Sequence, residues 1–176
     1  VGVCSPIVTL ITSFAFLVGL GGAPMFSIAL GEKNYQKAKK ILSNALLMLI
    51  VVSLVLMIVF YMFSEPILFL FGASEASISY ALDYLHVYLI GTFFSLLTLG
   101  LVQYLTAQGE SFKAMLTTII GCIINVGLDP LFMYVFSLGV KGAALATVIS
   151  QFISFILVIF LLVKKSSIKL SFGNYD

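Results

Sequence analysis

Arginine and tryptophan are absent from this 176-residue chain, histidine occurs once and cysteine twice. Each shortage removes a class of function. With His86 as the lone imidazole and no Gly-x-Ser-x-Gly, a nucleophile–base hydrolase set has no support. No Walker A sequence occurs, so ATP does not act on this chain through a phosphate loop. Gly19-Leu20-Gly21-Gly22 is no substitute, because neither a preceding strand nor a following Gly-Lys-Ser/Thr accompanies it. Cys4 and Cys122 lie in separate apolar stretches and read as small buried hydrophobes, not as a disulfide framework. No His/Cys cluster has zinc-ligand spacing, and no cofactor is expected. The chain reads as a non-enzyme.

Charge is scarce as well. Only 9% of residues are charged, against about 25% in a soluble domain. Apolar residues fill the remainder, at 61% hydrophobic and a mean hydropathy of +1.20. Several runs are long enough to cross ~30 Å of hydrocarbon. The reading is an all-α, polytopic transmembrane bundle with spans at approximately 3–30, 41–63, 79–108, 114–136 and 143–163. Residues 67–72, too short to cross, are expected to lie in the interface. The chain opens on valine inside an apolar stretch and reads as a fragment of a longer polypeptide.

Lysines set the expected orientation. Lys33, Lys37, Lys39, Lys40, Lys113, Lys164, Lys165 and Lys169 fall on alternate connectors, whereas Lys141 shares the other side with Glu65, Glu75 and Asp83. By the positive-inside rule, the basic loops 31–40, 108–113 and 164–176 are cytoplasmic and the host is the cytoplasmic membrane. The run Glu32 to Lys40 reads as a solvated connector, not a nucleic-acid patch.

One acid interrupts a span. Asp129 lies in an otherwise apolar helix, where a charge costs ~2.5–3.5 kcal/mol on insertion scales and marks a bundle interior or wet cavity. Asn125 precedes it by four residues and Thr118 and Cys122 continue the same helical stripe. Pro130 cannot donate to the carbonyl of Val126 and should loosen the helix beside the acid. A carboxylate, an amide and a freed carbonyl could hold a proton or a small cation; Na+ at Asp129 and Asn125 is the one metal-ion reading. On the last span Ala143, Thr147, Ser150 and Ser154 form a stripe of small residues with Gln151 beside it, suited to close packing. Thr98, Gln103 and Thr106 need partners inside the bundle. Asp83 and His86, three apart, read chiefly as headgroup-region residues, with a proton relay as the other reading. A bent bundle with one deep acid fits an ion-coupled transporter.

These residues resemble a known family. Leu30-Gly31-Glu32 with the basic loop and Ala38 is similar to the junction of the second and third helices of the multidrug and toxic compound extrusion (MATE) family. Leu70-Phe71-Gly72-Ala73-Ser74 resembles its second external loop. Gly121-x-x-x-Asn125-x-x-x-Asp129-Pro130-Leu131-Phe132 and Gly139-Val140-x-Gly142-Ala143-Ala144-Leu145-Ala146-Thr147-x-x-Ser150-Gln151 resemble its fifth and sixth helices. The resemblance covers residues 1–176 as helices two to six of twelve, a partial N-terminal lobe.

The resemblance implies two six-helix lobes exporting cationic or amphiphilic xenobiotics against H+ or Na+. It implies that Asp129, Asn125 and Thr147 line a coupling-ion or substrate cavity, with Gln103 near a fourth-helix amide position. Drug-like substrates, the lipid bilayer and the remainder of the same transporter are the implied partners; nucleic acid is not. Thr106 departs from the basic residue of many relatives. The alternative is a lipid-linked saccharide flippase of the same superfamily. It is disfavoured because no lysine falls in mid-span to meet a pyrophosphate.

Overall fold

A computed structural model describes residues 4–165. Val3, the first residue of the first expected span, and residues 166–176 of the last basic loop lie outside the described residues. In hydrocarbon each backbone N–H and C=O must be bonded within its own segment, and the apolar runs accordingly coil. The elements are α1 (Ser5–Gly31), α2 (Tyr35–Met62), α3 (Ser64–Leu70), α4 (Ile78–Ala107), α5 (Ser111–Pro130) and α6 (Gly139–Phe160). α5 runs on into a π-helical turn, Leu131–Val135, and α6 into another, Leu161–Lys165. Among the described residues, five helices are long and apolar enough to cross a membrane.

Several boundaries differ from the sequence reading, α5 and α6 beginning at Ser111 and Gly139, three and four residues before the expected 114 and 143. The basic connector is mostly helix: α2 starts at Tyr35, six residues before the apolar run, because the Asn34 side chain caps it by accepting from the Lys37 N–H at 3.1 Å. The true turn is Glu32 to Asn34, closed by the Asn34 N–H on the Ala29 carbonyl at 2.9 Å, with Lys33 left-handed at φ +56°. At the other end Pro66 does not merely stop a helix. It sits in the first turn of α3, where an N–H has no intrahelical partner to lose.

Short turns make successive long helices antiparallel. α4 is the centre, with 56% of its most apolar stretch buried, and it packs on α1, α2, α5 and α6. α5 is the edge, at 6%, resting mainly on α6. Two apolar clusters hold the bundle. One, toward the lysine-rich end, joins Phe26, Leu42, Leu49, Leu101 and Leu162; the other, toward the opposite end, joins Ile7, Ile11, Leu68, Leu85 and Leu89. Between α4, α5 and α6 polar residues collect beside the second cluster, whose Tyr88 and neighbouring Leu99 border them.

α1 approaches α4 closely. Tyr104 donates its hydroxyl hydrogen to the Val18 carbonyl at 3.1 Å, and its ring meets Phe26 edge-on at 5.6 Å. The hydroxyl occupies the space that a Cβ on Gly22 would take, so this contact needs glycine there. That is the physical use of one member of the glycine-rich run Gly19 to Gly22.

Candidate functional site

Polar side chains on a membrane helix turn inward when a neighbour can meet them. Here they surround a cavity of about 350 Å³ between α1, α4, α5 and α6. α5 contributes Thr118, Cys122 and Asn125, which recur at i, i+4 and i+7 and so share one face. α6 contributes Thr147, Ser150 and Gln151, and Tyr88, Ser95 and Thr98 close the α4 side, with Thr12 of α1 facing them. The lining is hydroxyl, amide, thiol and apolar, without a charged side chain among the described residues.

A hydrogen bond between side chains ties the α5 wall to the α6 wall. Asn125 donates from Nδ2 to Thr147 Oγ1 at 3.3 Å, while Thr147 donates its own hydrogen to the Ala143 carbonyl at 3.0 Å. Two glycines let these helices come close. A Cβ on Gly121 would collide with Ser154 Oγ, and one on Gly142 would stand 2.7 Å from the Phe132 carbonyl. Ser154 in turn donates to the Thr117 carbonyl at 3.5 Å. The small-residue stripe of α6 is therefore a packing surface whose hydroxyls also wet the cavity.

Asp129 lies one turn beyond Asn125, toward the lysine-poor end, just outside the lining residues. Its Oδ1 is buried and has no hydrogen-bond partner. On α4, Tyr84 stacks on Tyr88 with ring centroids 5.9 Å apart and planes 11° from parallel. Tyr88 lines the cavity together with Ser95 and Gln151. The tyrosine stack thus reaches the cavity through Tyr88. Sequence reasoning passed over both; a Tyr pair at i and i+4 inside an apolar span was the available signal, since each hydroxyl needs a partner.

Of the four site residues named from sequence, the fold brings Asn125 and Thr147 together and sets Asp129 one turn away. Gln103 stands apart, its Cγ against Gly19 of α1, 2.8 Å from where a Cβ on that glycine would be. It lies one helical turn beyond Leu99, the last α4 residue of the lining, and is not itself part of that lining. Thr106 bonds back to its own helix at the Val102 carbonyl, 3.0 Å. Cys122 is a correction. Only Cys4 is buried, donating weakly to the Ala81 carbonyl at 3.6 Å. Cys122 is exposed, because its face of α5 opens on the cavity and no described helix covers it. Asp83 and His86 each have a separate partner: Asp83 pairs with Lys141 at 3.1 Å, and His86 Nε2 meets the Ser64 hydroxyl at 3.0 Å beside the Tyr61 ring. Among the described residues no three His, Cys, Asp or Glu side chains are grouped to hold a metal ion.

The family profile MatE matches residues 1–131. The chain belongs to the MATE family. It is 32% identical over 149 residues to the multidrug export protein MepA of Staphylococcus haemolyticus, a match covering 85% of this chain and 33% of that protein. The Staphylococcus aureus protein of the same name is 29% identical over 163 residues, 93% of this chain and 36% of the relative. The chain thus spans about a third of the length of these relatives. Among solved structures, a MATE protein in the bent conformation superposes with a TM-score of 0.95 at 22% identity, covering 99% of this chain and 40% of the other. A MOP-superfamily transporter from Pyrococcus furiosus gives 0.93 at 22% identity, covering 100% and 39%. At that identity the superpositions establish the fold, an all-α membrane helix bundle. The MATE chain is accordingly a multi-pass membrane protein of a multidrug-efflux family.

Proposed function

We propose that this MATE chain is the part of a cation-coupled multidrug exporter in which its N-terminal lobe holds the coupling ion. The observation that carries this reading is the arrangement on α5: a buried Asp129 oxygen without a partner, one turn from the Asn125–Thr147 hydrogen bond at the edge of a polar cavity. An orphaned buried carboxylate oxygen costs free energy until a proton or a cation meets it. H+ or Na+ is the ion, drawn by Asp129 with Asn125 and Thr147 beside it. Gln103 lies one turn beyond the cavity lining, with its Cγ against Gly19 of α1.

The cycle follows from charge. With Asp129 ionised, its partners must stay close; once neutralised, α5 is free to repack about Pro130 and the π turn behind it. The cargo is a cationic or amphiphilic xenobiotic, exported from the lysine-rich side, which is cytoplasmic. Alternating access needs the remainder of the transporter, a first helix and a second lobe. The chain acts as a transporter in the cytoplasmic membrane, not as an enzyme. A flippase for pyrophosphate-linked saccharides would want cations in the cavity, and the lining offers no lysine.

The test is ethidium export by the full-length protein in a drug-sensitive host. Export should stop when the H+ or Na+ gradient is collapsed by an ionophore and persist when ATP is depleted with the gradient clamped. Export that follows ATP and ignores both gradients would contradict the proposal.

A further inference from the structure

Two glycines bracket the polar stretch that α5 and α6 share, and they differ in stiffness. At mid-bundle Gly121 faces the Ser154 hydroxyl, a side-chain atom that can rotate aside. Near the lysine-poor end Gly142 faces backbone: a Cβ there would lie 2.7 Å from both the carbonyl carbon and the carbonyl oxygen of Phe132. A peptide group held in a helix cannot move without moving the helix. Phe132 belongs to the π turn that begins directly after Asp129-Pro130. Its carbonyl also accepts the Leu138 N–H at 3.2 Å, and the Phe136 N–H closes on Leu131 at 3.1 Å, so the turn is bonded to the start of α6 as well as to itself.

Pro130 removes one bond from the ladder just upstream, which makes the joint between α5 and the turn compliant. The turn is continuous with Asp129, three residues before Phe132, so where the turn is seated bears on where Asp129 stands. Asp129 already lacks a partner for Oδ1, so its surroundings depend on that seating more than those of a bonded side chain would. We infer that Gly142 is a positioning residue for Asp129, the side-chain-free seat on which the π turn rests and by which the rotation of α5 is fixed. The inference rests on the proposed role of Asp129 in ion coupling, and it accounts for a glycine inside a membrane helix where alanine would favour the helix more.

The experiment uses the full-length transporter with any cysteine outside this chain replaced by serine. Gly142→Ala is compared with Gly127→Ala, a glycine of α5 with open space around it. One readout is the alkylation rate of Cys122 by N-ethylmaleimide, which reports how α5 is turned whether or not the protein transports anything. The other is gradient-driven ethidium export, separated into apparent affinity and maximal rate. Gly142→Ala should change the Cys122 rate about threefold or more and lower the maximal rate about tenfold, with affinity nearly unchanged. Gly127→Ala should leave all three near wild type. A folded, expressed Gly142→Ala protein with wild-type Cys122 reactivity and wild-type maximal rate would overturn the inference, as would equal effects from Gly127→Ala. Should Gly142→Ala fail to accumulate, Pro130→Ala restores the N–H opposite Val126 and stiffens the same joint; an unchanged Cys122 rate there would also overturn it. A wild-type protein that moves no ethidium counts against the exporter reading alone, and the alkylation arm still decides this one.

Discussion

Asn125 Nδ2 lies 3.3 Å from Thr147 Oγ1, a side-chain-to-side-chain hydrogen bond that joins α5 to α6 at the cavity wall. The contact is long for its type, and interhelical hydrogen bonds in membranes average ~0.6 kcal/mol because the unfolded reference also finds partners. A double-mutant cycle of Asn125→Ala and Thr147→Val in the full-length protein should give a coupling energy of about 0.6 kcal/mol in an unfolding assay. The same substitutions should reduce gradient-driven export far more than that small stability change explains. Export that falls only in proportion to folded protein would make the pair structural.

Tyr104 and Gly22 make a second checkable pair. Because the hydroxyl fills the space beside Gly22, Gly22→Ala overpacks the α1–α4 contact and should destabilise the protein by about 1–3 kcal/mol. Tyr104→Phe alone gives up the bond to the Val18 carbonyl, about 1 kcal/mol. Combined, the two should cost clearly less than their sum, since Phe vacates the contested space. Strict additivity of thermal or denaturant midpoints would rule out the close approach.

The two thiols differ in access. Cys4 is fully buried and Cys122 exposed on the cavity face of α5. In membranes containing the full-length protein, with other cysteines replaced by serine, a small maleimide should alkylate Cys122 and spare Cys4. Excess ethidium should slow the reaction, because Thr118 and Asn125 on either side line the same cavity. Equal labelling of both thiols would place the cavity elsewhere.

The fold was readable because the bilayer imposes it: a run of about twenty apolar residues has few options besides a helix. Boundaries blurred where polarity and helicity part company. Lys37, Lys39 and Lys40 look like a loop by composition, yet Asn34 caps a helix that already includes them. Periodicity gave the face of α5 that holds Thr118, Cys122 and Asn125, but not which neighbour covers it, so Cys122 was expected to be buried. Nor could it show that Asp129 sits one turn outside the cavity, or that Gln103 turns toward Gly19. Those depend on where α1, α4 and α6 stand around α5, which one chain's spacing does not encode. The tyrosine pair Tyr84 and Tyr88 went unread, because stacking depends on rotamers that i, i+4 spacing alone does not show.

Ion coupling at Asp129 is the central claim, and everted vesicles carrying the full-length transporter test it most directly. Ethidium transport would be measured for wild type and Asp129→Asn under an imposed pH gradient and then under an imposed Na+ gradient. The account predicts that wild type responds to one of the two gradients and that Asp129→Asn, expressed at the same level, loses the response. Gradient-driven transport by Asp129→Asn equal to wild type under both conditions would contradict it.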